Sequence, residues 1–217
     1  MAISLYQSHV AKWSDCEACG LHRTRGRVVL AKGKIPCDVL FVGEAPGFSE
    51  DTVGLPFIGP AGRLLDDIIA LSGIGSVEVC EDCGRKQFET DSGEVCPNGH
   101  GGASTRPVRI AFTNMIACIP KGEDGDKVAE PSDESIEACS ARLVEFVAIA
   151  RPRLIVQVGK VAQDWLTPGY KHSIKLHETI PMVFISHPAA IMRAREDQKG
   201  YQKQRAVIAL RDAVDLL

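Results

Sequence analysis

No run of apolar residues in this 217-residue sequence is long enough to cross a bilayer, which takes about 20 consecutive residues. Nothing in it resembles a secretory signal, with a basic segment, an apolar segment and a small-residue cleavage site. These two absences set the expectation of a cytoplasmic protein with reduced thiols and no membrane partner. There is no excess of positive charge either, the formal net charge being −3. A nucleic-acid partner would therefore have to meet a local positive field. No lysine follows the glycines of Gly43-Glu44-Ala45-Pro46-Gly47, so that loop lacks the feature by which a P-loop reaches nucleotide phosphates.

What the chain does have is cysteine, eight in all. In a reducing compartment that number points to metal ligation rather than disulfides. One pair is Cys16-Glu17-Ala18-Cys19. Within 76–106 there are two more short-spaced pairs, Cys80-x2-Cys83 and Cys96-x3-His100, with a turn signal at Asp91-Ser92-Gly93 between them. Three thiols and an imidazole suit tetrahedral zinc and leave no open coordination position, so the expected site is structural. So short a segment has little core of its own, and metal binding would supply most of its folding energy. Residues 76–106 are thus read as a small inserted zinc-ribbon-like module within a single domain spanning 1–217. The competing reading is a thiol-rich loop without metal. Cys37, just before an apolar run, reads as a small buried hydrophobe.

Apolar runs at 39–42, 108–112, 154–158 and 181–185 read as strands, each short and bounded by Gly, Pro or Asn. Between and around them, 3–13, 61–71, 133–150, 160–166 and 200–217 read as helices, with Ser132 as an N-cap and Arg151-Pro152 as a stop. Strands alternating with helices imply an α/β fold, a three-layer αβα sandwich around a mainly parallel four-stranded sheet. Ligands of such sheets bind beyond the carboxyl ends of the strands. Glu44, Asn114 and His187 each lie just past such an end. Taken singly, each has an ordinary explanation: a loop carboxylate, a turn former, a satisfied core histidine. Their shared topological position is what singles them out. The basic residues His22, Arg23, Arg25, Arg27, Lys32 and Lys34 read either as a solvated loop or as a phosphate-contacting strip beside the first cysteine pair.

Five stretches in order, GEAPG with PFIGPAGRLLD, then TNMIAC, IVQVGKVA and HPAAIMR, resemble the family 4 uracil-DNA glycosylases, which carry an iron–sulfur cluster. The resemblance covers most of the chain outside 76–106. It implies that Glu44 orients the attacking water or stabilises the oxocarbenium ion, and that His187 hydrogen-bonds uracil O2 as charge builds there. Asn114 would read the uracil edge through its amide. Phe57 would stack on the flipped base, with plain core packing as the alternative, and Ala45 and Gly47 would complete the base pocket. Ile191 or Met192 would wedge into the duplex while Arg193 touches a phosphate. By the same resemblance Cys16, Cys19, Cys118 and Cys139 would ligate a [4Fe–4S] cluster, a pairing that spacing alone does not supply. The partner would be uracil-containing DNA, single- or double-stranded, the protein a monomer, and its source a prokaryote or a phage.

The sequence departs from that pattern in places. Residues 76–106 are an insertion. The loop between Cys118 and Cys139 is long and acidic, with Glu123, Asp124 and Asp126, and Ala117 stands where a lysine is common. A related branch traps DNA through a histidine in this loop, and 121–132 contains none. Two further readings remain: a non-catalytic DNA-binding relative whose zinc insert recruits a partner, and a nucleotide-binding protein using Gly43–Gly47 as a phosphate loop.

Overall fold

The computed structural model describes residues 2–83, 86, 88–90, 93–95, 105–122, 124–169, 173–176 and 179–217, without the side chains of 2, 3, 88–90 and 93–95. The elements run α1 (Ala2–Trp13), β1 (Ala31–Gly33), β2 (Val39–Gly43), α2 (Phe48–Val53), α3 (Pro60–Ser72), β3 (Glu78–Cys80), β4 (Phe88–Thr90), β5 (Gly93–Val95), β6 (Thr105–Pro107), β7 (Ile110–Asn114), α4 (Asp133–Ala150), β8 (Leu154–Val158), α5 (Lys160–Leu166), β9 (Met182–Ile185), α6 (Pro188–Arg193) and α7 (Glu196–Asp212).

The central sheet has the order β1-β7-β2-β8-β9. Its four parallel strands are the four apolar runs. The fifth, β1, pairs antiparallel with β7 and was not expected. Ala31-Lys32-Gly33 is too short and too polar to announce a strand, and only the neighbouring ladder makes it one. The two innermost parallel strands, β2 and β8, are buried along their whole length. Alternate residues therefore feed two cores. Val39, Phe41, Val156 and Val158 pack with Leu65 and Ile68 of α3 and with Val207 and Leu210 of α7. Leu40, Val42 and Ile155 pack with Leu143 and Phe146 of α4 and with Ala162 and Trp165 of α5. Helix–sheet–helix layering follows directly from that period-two burial.

Ser132 caps α4 as the sequence predicts, its hydroxyl accepting from Ser135 N at 3.2 Å. Arg151 ends the helix with a left-handed φ of 49°. The expected C-terminal helix begins earlier than Gly200, at Glu196, and α2 and α6, each a short helix after a Gly or Pro turn, were not read from the sequence.

The inserted segment is rooted in this frame. β3 and β6 form an antiparallel stem, and β4 pairs with β5 as a hairpin. Val79 is buried in the same core as α3. At the stem's foot, buried Asp38 accepts from both Nη atoms of Arg106, at 2.6 and 2.8 Å, and from Arg109 N at 2.8 Å. Burial pushes the Asp38 pKa up, but these hydrogen bonds outweigh it and hold the carboxyl below its ordinary value. Cys80 is buried and Cys83 half-buried. Cys96 and His100, the other half of the expected zinc set, lie outside the described residues. No helix among the described residues is long and apolar enough to cross a membrane.

Candidate functional site

A cleft of about 660 Å³ opens at the carboxyl edge of the sheet, lined by Glu44, Phe57, Asn114 and His187 from four separate stretches. Ala45, Gly47 and Arg193 line it too. Glu44 follows β2 and Asn114 ends β7; the two strands are in register there, Gly43 opposite Asn114. Gly43 is required by this closeness: a Cβ on it would stand 2.5 Å from Asn114 Oδ1 and 2.5 Å from Phe57 Cζ. Across the sheet, Gly159 after β8 makes room for His187 in the same way, with a φ of +96° and His187 Cβ 2.9 Å from where its own Cβ would be.

Phe57 is held in a left-handed backbone conformation, φ 54°, a strained state for a residue with a side chain and one that persists only where the surroundings impose it. Here they do. Glu50 Oε1 accepts from Ile58 N at 3.0 Å and Gly59 N at 2.8 Å, and Lys32 Nζ donates to Phe57 O at 2.8 Å. The ring packs at 5.8 Å from Phe112, so Phe57 is at once a core residue and a wall of the cleft. Glu50 Oε2 also accepts from Gly47 N at 3.2 Å, so that amide is engaged inside the loop.

His187 caps α6: its Nδ1 accepts from Ala189 N at 3.2 Å. That contact places the ring proton on Nε2. Burial lowers the His187 pKa to about 4, helped by the positive charge of Arg193, so near neutrality the ring is an uncharged donor. Burial raises the Glu44 pKa, as does the carboxylate of Glu130, while Arg193 opposes both. Glu130 arrives on the acidic loop, which folds back on itself through Gly122 N to Lys127 O at 2.9 Å and Ala129 N to Pro120 O at 2.7 Å.

Of the two candidate wedge residues, Ile191 is buried in the core beneath α6. Met192 is 44% exposed and points outward; one step along a short helix separates a core position from a surface one. The basic strip also divides. Lys32 is spent on Phe57 O and on the Phe112 ring, 4.8 Å from its centroid. Arg25 donates to Cys16 O at 2.5 Å, and His22 Nδ1 donates to Cys19 O at 2.7 Å. Arg23, Arg27 and Lys34 stay exposed. Buried Glu50 and exposed Glu130 were both missed from sequence. Glu50 left a trace, being three residues after the Gly47 that starts α2; Glu130 left none.

A second, narrow cavity is lined by Cys16, Cys19, Cys118 and Cys139, with Trp13, Ala18, Val28, Ala117, Ala138 and Arg142 as walls. Two sequence-distant pairs thus meet. Burial pushes the Cys118 thiol up to about 11, against the pull of the nearby Arg25 guanidinium. Among the described residues, no three His, Cys, Asp or Glu side chains form a group ready for a single ion; a four-iron cube spreads its thiolates wider than one tetrahedral ion does. The donor set fits such a cube: four sulfurs, no competing oxygen ligand in the walls, and an orphaned buried N–H, Arg142 Nε.

Curated relatives match this chain over most of their length. The Type-4 uracil-DNA glycosylase of Pyrobaculum aerophilum is 26% identical over 207 residues, 89% of this chain and 87% of its own. That of Archaeoglobus fulgidus is 26% identical over 202 residues, 87% and 83% of the two chains. That of Thermotoga maritima is 28% identical over 191 residues, 84% and 81%. The Uracil DNA glycosylase superfamily model matches residues 31–211, from the edge strand β1 almost to the end of α7, and the chain belongs to that superfamily.

Proposed function

We propose that this protein is a uracil-DNA glycosylase, a DNA-repair enzyme that hydrolyses the N-glycosidic bond of deoxyuridine in DNA. The observation that carries the reading is the convergence, in one cleft, of an uncharged imidazole donor, a carboxylate, an amide and an aromatic ring. Breaking the bond between N1 and C1′ leaves negative charge on the base and positive charge on the sugar. The base must first leave the stack, at a cost of a few kcal/mol that the pocket contacts repay. Phe57 then offers its ring to the base. Asn114 donates to O4 and accepts from N3–H, a pattern that cytosine reverses.

His187 Nε2–H donates to uracil O2. A pKa of about 4 keeps the ring neutral, so it stabilises the leaving anion by a hydrogen bond that strengthens as charge develops. Glu44, ionised, holds the water or the cationic sugar. Its raised pKa means that it loses this charge, and the enzyme its activity, earlier on acidification than an ordinary carboxylate would. Met192 is the wedge placed to enter the duplex, and Arg193 at the rim contacts a phosphate.

The thiols of Cys16, Cys19, Cys118 and Cys139 would hold a [4Fe–4S] cluster, which supplies no chemistry at the reacting bond and staples the N-terminal segment to the loop after Asn114. Cys80, Cys83, Cys96 and His100 would hold a structural zinc in the inserted module at 76–106. The protein acts as a monomer in the cytoplasm of a prokaryote or in a phage-infected cell. The deciding experiment is release of uracil from a labelled oligonucleotide, single- and double-stranded, with a thymine-containing control. Binding without release in both formats would mean a non-catalytic DNA-binding relative instead.

A further inference from the structure

Arg142 is 1% exposed and among the largest fully buried side chains. No carboxylate pairs with it among the described residues. A buried cation without a counter-charge is costly by several kcal/mol. Both Nη atoms of its guanidinium are nonetheless accounted for on one side. Nη1 donates to Thr113 Oγ1 at 3.0 Å, and Nη2 donates to Asn114 O at 2.5 Å and to Met115 O at 2.9 Å. Thr113 passes the contact on, its hydroxyl donating to Leu30 O at 2.6 Å. On the other side Arg142 lines the four-cysteine cavity, and its buried Nε has no partner. One rigid planar group therefore stands between the thiols and the strand end that carries Asn114.

We propose that Arg142 is a positioning residue: it takes the negative charge held by the four cysteines as its counter-ion and, through its opposite edge, fixes the main chain of Asn114 for base reading. This rests on the reading that Cys16, Cys19, Cys118 and Cys139 hold an iron–sulfur cluster. Four thiolates on such a cluster leave a net negative charge, which is what the buried guanidinium lacks. Arginine suits the task because its fork is planar and permanently charged, so a donor on one edge is rigidly tied to donors on the other. A lysine would keep the charge and lose the fork.

The test compares wild type, Arg142→Met and Arg142→Lys, purified without air. Iron content and cluster reduction potential are measured. Affinity is measured for a duplex carrying a non-cleavable 2′-fluorinated deoxyuridine and for an undamaged duplex. Arg142→Met removes positive charge beside the cluster and should move its potential to more negative values. Arg142→Lys should leave the potential near that of the wild type. Both should bind the fluorinated duplex roughly tenfold more weakly, the scale of losing a charge-assisted hydrogen bond, with undamaged duplex unaffected. An unmoved potential in Arg142→Met overturns the counter-ion role. Unchanged affinity for the fluorinated duplex in Arg142→Lys overturns the positioning role, and this holds even if Arg142→Met does not fold. Wild type without iron sinks the cluster reading and this inference with it, whereas iron-loaded wild type with unmoved variants sinks this inference alone.

Discussion

At the carboxyl edge of the sheet the side chains of the cleft are braced by main chain. Ala189 N fixes the His187 ring, Glu50 and Lys32 hold the strained turn at Phe57, and the β2–β7 register sets Gly43, the residue before Glu44, opposite Asn114. In the thiol cavity little of that kind exists. Apart from Trp13 and Arg142 its walls are small apolar residues, its thiols meet from both ends of a long sequence separation, and one of its donors has no acceptor. The first region is organised before any ligand arrives, as electrostatic catalysis requires. The second, on the proposed reading, is completed by the cluster it would bind. Damage to the cleft should therefore cost rate without cost in stability, and damage to the cavity should do the reverse.

The largest effect should come from the cleft. Glu44→Ala and His187→Ala should each slow single-turnover excision by roughly 10²–10³-fold, the scale of losing one charge-stabilising group. Affinity for uracil-containing DNA and the melting temperature should barely change, because the charge they meet appears only in the transition state. Wild-type single-turnover rates in either variant would place the chemistry elsewhere. Next, Cys118→Ser should strip most of the iron and lower the melting temperature by several degrees. Excision by whatever protein remains folded should fall less than in Glu44→Ala. A fully stable, iron-free Cys118→Ser would erase the contrast between the two regions.

Smaller changes sharpen it. Arg193→Ala should weaken DNA binding and flatten the logarithmic salt dependence by about one unit of slope, as expected for one lost phosphate contact. Its rate at saturating protein should stay near normal, although the lost charge also reaches Glu44 and His187. Titrations at several salt concentrations check this. The smallest expected effect is in the pH profile. Burial raises the Glu44 pKa and the like charge of Glu130 adds to it, so the acid limb of activity should lie higher than an unshifted carboxylate would put it. Removing that like charge in Glu130→Gln should move the limb to lower pH, because Glu44 then stays ionised further into acid. A limb that moves up, or not at all, would separate Glu130 from Glu44.

Much of this architecture was legible because strand burial leaves a simple trace. Each of the four parallel strands is an apolar run, and three of them, β2, β7 and β9, display a polar site residue just after the run ends. β1 was illegible because three residues carry no periodicity; pairing with β7 makes them a strand. Arg142 was illegible for a different reason. A charged residue on a helix reads as solvated, and nothing in its neighbours tells which face α4 turns to the sheet. Ile191 and Met192 show the same limit at one-residue resolution.

By itself the sequence determined the order of the four parallel strands and the longer helices, the placement of Glu44, Asn114 and His187 at one edge, and the turns that put them there, because these depend on local periodicity and on where Gly and Pro interrupt it. Tertiary structure alone decided that Cys16 and Cys19 face Cys118 and Cys139, that Glu50 braces Phe57, and that a buried arginine spans the space between the thiols and Asn114. Those relations depend on side-chain direction and on the packing of helices against the two faces of the sheet, which local periodicity does not encode.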